Sequence, residues 1–188
     1  MTAITKETLI GRPITKRDAP DKTTGRATYL QDLVVPRMLI GKVLRSDRTH
    51  ARILNIDIRA AQALPGVHAV ITNADTPSIP LGFAKDNLPL KRDKVRCIRD
   101  EIAAVAAESE DIADAALSLI EVTYEDLPGV FSAEAAMAER APVIHEERPS
   151  NVVDVVNYAH GDVEYGERES DVVIQDHFKM QFVTHCCM

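Results

Sequence analysis

Tryptophan is missing from the 188 residues, and aromatic side chains together make up 4%. A surface that stacks nucleobases or sugars needs several rings, so single-stranded nucleic acid and carbohydrate are poor candidates as ligands. Positive charge is also short: 22 Lys and Arg stand against 29 Asp and Glu, a formal −7. That balance disfavours duplex nucleic acid, whose recognition depends on neutralising phosphates. No apolar run approaches the roughly 20 residues of a membrane span. The opening MTAITKETLIGRPITKRD lacks an apolar segment of signal-peptide length. Cysteine is sparse and odd in number, three in all, with Cys186 and Cys187 adjacent. A secreted disulfide framework is disfavoured on that count, and a reducing cytoplasm is expected. Motifs of the GxGxxG, Walker A, HExxH and CxxC kinds are all missing.

What is present is a soluble composition, 45% hydrophobic and 27% charged, enough to bury a core without disulfides or a structural metal. The first 37 residues read as irregular, punctuated by Pro13, Pro20, Gly25 and Pro36. Strands are expected over Met38 to Leu44 and over Ile53 to Ile58, where Leu54, Ile56 and Ile58 alternate with polar residues. A helical turn over Arg59 to Leu64 is stopped by Pro65-Gly66, and Val67 to Ile71 returns to strand. Thr72 to Asp93 carries Pro77, Pro80, Gly82 and Pro89 and reads as a long surface loop.

The clearest block follows. Ile102 to Ala107 is a small-residue apolar run short enough for a buried strand, although its alanines also suit a helix. Glu110 to Leu119 places Ile112, Ala115, Ala116 and Leu119 at helical spacing behind an acidic first turn. Ile120 to Tyr124 alternates again, so strand, helix and strand suggest a right-handed βαβ crossover. Ser132 can cap a short helix running to Glu139. The charged, proline-flanked APVIHEERPS, Ala141 to Ser150, marks a domain boundary. Two late strands are expected, at Asn151 to Tyr158 and at Asp171 to Val183. In the second, Val172, Ile174, Phe178, Met180 and Phe182 share one face. Little sequence remains to pair with it, so the chain reads as truncated.

Candidate chemistry is thin. Thr184-His185-Cys186-Cys187 gathers metal-ligating types, but adjacent side chains on a strand point to opposite faces, and two small buried thiols are the plainer reading. Cys97 lies among Lys94, Arg96 and Arg99, which would draw its pKa down, against the default of an inert thiol. His50, His68, His145, His160 and His177 are scattered singly. The basic run Lys85, Lys91, Arg92, Lys94, Arg96 and Arg99 is a solvated face or a guide for an anionic substrate. The residues by themselves supply a fold and no active site.

Five segments nevertheless fall in the order and spacing of one family: RDAPDKTTGRATY (Arg17 to Tyr29), GKVLRSDRTHARI (Gly41 to Ile53), ALPGVHAVIT (Ala63 to Thr72), DKVRCIRDEIAAVAAE (Asp93 to Glu108) and AALSLIEVTYEDLPGV (Ala115 to Val130). Over nearly its whole length the chain resembles the molybdopterin-binding large subunit of the xanthine dehydrogenase and aldehyde oxidase family, the molybdenum hydroxylases. That resemblance implies an α+β fold: an α/β hammerhead domain with a mixed sheet over residues 1–150, its core at about 20–135. The first strands of a molybdenum-cofactor-binding domain would follow in 151–188, opened by GDVE (Gly161 to Glu164). The implied function is that of the N-terminal portion of a molybdenum oxidoreductase, which hydroxylates aldehydes or heteroaromatics or, in the 4-hydroxybenzoyl-CoA reductase branch, reduces an aromatic thioester.

The implied cofactor is molybdopterin-bound molybdenum in the parent protein, with none expected on this chain alone. Iron–sulfur and FAD subunits or domains are the implied partners. The family's cofactor loops and glutamate base match nothing here, so no catalytic residue carries over, and only Val183 and His185 fall in a molybdenum-proximal segment. Xanthine-oxidising relatives place glutamine where this chain has Val183, which leans the reading toward aromatic or CoA-thioester substrates. Two departures stand out: the family has Pro at Asp47 and Gly at Arg99. A free-standing module that docks on electron-transfer subunits and a non-functional gene fragment are the alternative readings.

Overall fold

The computed structural model describes residues 11, 13–82, 84–158, 160–181 and 183. The chain divides into two compact units, Met1–Gly129 and Val130–Met188.

The first unit holds two three-stranded sheets. β1 (Ile40–Arg45), β3 (Val67–Ile71) and β5 (Glu101–Ala107) form one, in the order β1-β5-β3. β2 (Ala51–Asp57), the two-residue β4 (Lys94–Val95) and β6 (Glu121–Asp126) form the other, in the order β4-β2-β6. Every pairing is antiparallel, where the sequence suggested a mixed sheet. The expected βαβ crossover also fails. β5 already has β1 and β3 on its two sides, so the chain leaving α3 (Glu110–Ser118) finds no slot there and pairs instead with β2. Local periodicity fixes that strand, helix and strand follow one another; it says nothing about which sheet each strand joins.

Before the sheets come α1 (Ala19–Thr23) and a 3-10 turn at Leu30–Asp32, in a stretch expected to be irregular. Its proline at the first helical turn is where proline costs no hydrogen bond. α2 (Arg59–Gln62) ends as the Pro65-Gly66 stop requires. Gly66 has φ +86°, and a Cβ there would sit 2.7 Å from Ile112 Cδ1, so both conformation and space demand glycine.

The core is built largely of alanine. Ala61, Ala103, Ala107, Ala113 and Ala116 are fully buried, with Val105 beside them. Small side chains on β5 and α3 let the helix lie close on the sheet. The buried stripe of α3 is Ala113, Ala116 and the following Ile120, not the Ala115 and Leu119 expected from spacing, both of which are exposed. Ile102, Val95 and Ala51 make a second cluster under the β2 sheet, and Ile56 and Val122 pack against both.

The second unit contains α4 (Ala133–Met137), capped by Ser132 as expected, and α5 (Val163–Glu169), capped by Asp162. Neither late strand forms: no ladder is present over the described residues of 151–183. None of the described residues from 130 onward is buried. Phe178 and Met180, on the alternating face, are 84% and 93% exposed. Alternation specifies which face would be buried; without a partner strand among the described residues that face stays unpaired.

Candidate functional site

The best-organised polar cluster lies where the end of the long loop meets the start of β5. Lys91 and Asp100 are both buried. The Lys91 ammonium lies 3.5 Å from Asp100 Oδ1 and 3.2 Å from Glu101 Oε2, and it donates to the Leu88 carbonyl at 3.3 Å. Its backbone N–H donates to the Glu101 carbonyl at 2.7 Å. The loop read as lying on the surface therefore ends inside the fold, with Leu90 buried next to Lys91. Glu101 also receives Arg45 at 2.6 Å, across the register shift at the end of β1. Burial pushes the Glu101 carboxyl up, but hydrogen bonds from its own backbone, Arg45 and Lys91 outweigh that and hold it below the ordinary range.

Asp100 organises the turn before it. Its Oδ2 accepts the backbone N–H groups of Arg96 at 2.7 Å and Cys97 at 3.3 Å, and its Oδ1 accepts the Cys97 thiol at 3.3 Å. Ser46 closes the turn from the other side, donating its N–H to the Asp100 carbonyl at 2.8 Å and accepting that of Arg99 at 2.9 Å. So clamped, Arg99 has φ +79°, the conformation that the glycine of the resembling family would adopt without cost. The lowered Cys97 pKa that the neighbouring cations suggested is not found, which leaves the default reading of an inert thiol in place. Burial, then the hydrogen-bonded Asp100 carboxylate, raises its pKa above the ordinary thiol value, because a thiolate there would face an anion. The sequence put three cations beside Cys97 in the chain; the fold puts Asp100 beside its sulfur.

The basic run is thereby split. Lys91 is neutralised inside, Lys94 and Arg96 are half-buried, and Lys85, Arg92 and Arg99 are exposed. The histidines stay apart. His50 is buried with Nδ1 2.6 Å from the Pro128 carbonyl, His68 meets Glu108 at 3.0 Å, and His145 meets Glu147 at 3.2 Å. Val183 is 68% exposed, and His185 with Cys186 and Cys187 lies outside the described residues. No strand is present among the described residues around Gln181 and Val183, so the substrate preference argued from that face has no support in them.

The second unit has an open groove of about 430 Å³ lined by Phe131, Ala136, Ile144, His145, Arg148 and Val153 among others. Asn151 shapes it, donating to the Ala136 and Pro142 carbonyls at 3.1 and 2.9 Å and accepting the Ile144 N–H at 2.9 Å. Neither Asp100 nor Asn151 stood out in the sequence. Each acts by gathering backbone groups that come together only once the turn is made.

No group of three or more His, Cys, Asp or Glu side chains able to hold a metal is present among the described residues. The groove is lined by apolar side chains with Ser132, His145, Arg148, Ser150 and Asn151, a single guanidinium where a phosphate-bearing pterin calls for a cluster of anion-binding groups. The described residues do not fit a molybdenum cofactor, and no reaction step is assigned to them. No helix among them is long and apolar enough to cross a membrane.

Among known proteins, the family described as aldehyde oxidase and xanthine dehydrogenase, a/b hammerhead domain, matches residues 24–128. The chain is 39% identical over 183 residues to a probable xanthine dehydrogenase subunit of Bacillus subtilis (strain 168), covering 96% of this chain and 24% of that protein. It is 36% identical over 182 residues to the nicotinate dehydrogenase large molybdopterin subunit of Eubacterium barkeri, covering 94% of this chain and 42% of that one. In structure it resembles quinoline 2-oxidoreductase from Pseudomonas putida 86, with a TM-score of 0.67 and 35% identity over 79% of this chain and 20% of the other. The chain spans less than half the length of each of these relatives.

Proposed function

The chain belongs to the aldehyde oxidase and xanthine dehydrogenase family through its α/β hammerhead domain, and from that premise we propose that it is the hammerhead-bearing part of the large subunit of a molybdenum-dependent oxidoreductase. One observation carries the reading: the family match over residues 24–128 coincides with the folded unit ending at Gly129. The cofactor, held elsewhere in the large subunit, supplies two-electron oxidation of an aldehyde or heteroaromatic carbon. Iron–sulfur and flavin partners take the electrons, and the work is done in the cytoplasm. The relatives named for xanthine, nicotinate and quinoline support a small N-heteroaromatic substrate.

This chain's own residues supply a scaffold: two antiparallel sheets joined by Ile56 and Val122, and a rigid turn fastened by Asp100. The test is to purify the polypeptide that carries this chain from its source cell through an affinity tag and assay reduction of an artificial dye. Turnover with quinoline, nicotinate, xanthine or an aldehyde is expected. A preparation that reduces the dye with none of them contradicts the proposal.

A further inference from the structure

The described residues that line the open groove of about 430 Å³ all belong to the second unit. Their composition is one-sided. In a chain of net −7 with 29 Asp and Glu, they include a guanidinium, Arg148, and an imidazole, His145, and no carboxylate. Glu147 accepts from His145 Nδ1 at 3.2 Å and is not among the lining residues. A guanidinium has five N–H donors, more than one neighbouring acceptor can occupy, so Arg148 retains donors for a ligand carboxylate. Two hydroxyls line the same groove. Ser132 Oγ accepts the Ala135 N–H at 3.0 Å and Ser150 Oγ accepts the Val152 N–H at 3.2 Å. Each uses a lone pair in fastening its turn and keeps its own hydrogen to donate.

The remaining walls are apolar: Val130, Phe131, Ala136, Ile144 and Val153. Phe131 is 80% exposed, so a whole aromatic ring stands in water at the groove. The groove is also preformed. Asn151 Nδ2 donates to the carbonyls of Ala136, on α4, and Pro142, while its Oδ1 accepts the Ile144 N–H. One amide thus spaces the helix from the segment opposite, and a fixed cavity costs a ligand little ordering. Its volume falls within the roughly 300–1,000 Å³ of small-molecule sites. One cation and two hydroxyl donors on apolar walls match a monoanion with a flat apolar body.

We propose that this groove binds a small aromatic carboxylate of one or two rings, its carboxylate on Arg148 and the Ser132 and Ser150 hydroxyls, its rings against Phe131, Ile144 and Val153. The inference does not rest on the molybdenum reading. It concerns binding alone, at residues outside the family match over 24–128.

The test is isothermal titration of the full chain with 2-naphthoate, and with neutral 2-naphthylmethanol as the same rings without the charge. Saturable binding of 2-naphthoate at one site per chain is expected. Arg148→Gln should weaken it about tenfold or more, because hydrogen bonds between ionised groups are the strong ones, and the parent chain should bind the alcohol more weakly by a similar factor. Phe131→Ala removes an exposed ring from outside the core and should weaken both ligands alike. Arg168→Gln, whose guanidinium lies over the Tyr165 ring and is not among the lining residues, should change nothing. No saturable binding of 2-naphthoate, undiminished binding in Arg148→Gln or in Phe131→Ala, or equal affinity for acid and alcohol would each overturn the proposal.

Discussion

Arg99 has left-handed backbone and is held there by the Ser46 carbonyl, which accepts its N–H, and by Arg45, which donates to its carbonyl at 2.9 Å. A non-glycine residue in that region costs about 1–2 kcal/mol. Arg99→Gly should recover about 1 kcal/mol, less the entropy that glycine restores to the unfolded chain, read as a raised midpoint in urea unfolding of the full chain. An unchanged or lowered midpoint would show that the turn is not strained. Gly66 is the converse case. Gly66→Ala forces a Cβ to 2.7 Å from Ile112 Cδ1 at φ +86° and should cost about 1–3 kcal/mol in the same measurement. Asp100→Asn leaves the buried Lys91 with Glu101 as its one remaining carboxylate partner, weakens the clamp on the Arg96 and Cys97 N–H groups, and removes the anion that the Cys97 thiol faces. A loss of about 2–4 kcal/mol is expected, together with a lower Cys97 pKa, followed by the pH dependence of thiol alkylation. If alkylation titrates at the same pH in both proteins, Asp100 does not control that sulfur.

At the scale of elements, the antiparallel ladders and the caps set the acid response. Asp57, at the end of β2, accepts both the guanidinium and the backbone N–H of Arg59, which lower its pKa to about 2. Glu101 at the start of β5 is lowered as well. For both groups the folded pKa lies below the unfolded one. Their contribution is therefore complete above the ordinary carboxylate range and is lost as pH falls toward the folded values. Unfolding midpoints should be flat near neutrality and fall from about pH 4.5 downward, and Arg59→Ala should shrink the part lost between about pH 4 and 2. A slope of the same size in that variant would rule out the Asp57–Arg59 pair as its source.

The elements themselves were legible where their signals are local. Pro65-Gly66 stops α2, β3 runs over Val67–Ile71 as read, and Ser132 caps α4. Sheet membership was not legible, because β6 chooses β2 only after β5 has been flanked. The alternation of 171–183 was real in sequence yet gave no strand among the described residues, since a pattern of faces does not supply a partner. Asp100 was hidden for a related reason: a carboxylate that gathers two backbone N–H groups has no spacing signature.

For the molecule as a whole, all buried residues among those described lie before Gly129, so the cooperative core belongs to the first unit. Ending the chain after Ser150 should leave a single cooperative thermal transition near that of the full chain. Loss of the transition would show that the later residues contribute to the same core. The family match covers that unit, while the described residues form no place for a metal. On the proposed function, the scaffold and the redox centre lie in different parts of one enzyme. Elemental analysis for molybdenum tests this division most directly, on the polypeptide purified from its source cell and on residues 1–188 expressed alone. Molybdenum near one per large subunit in the first preparation and none in the second is the expected result. Its absence from the first, or a stoichiometric amount in the second, would contradict the account.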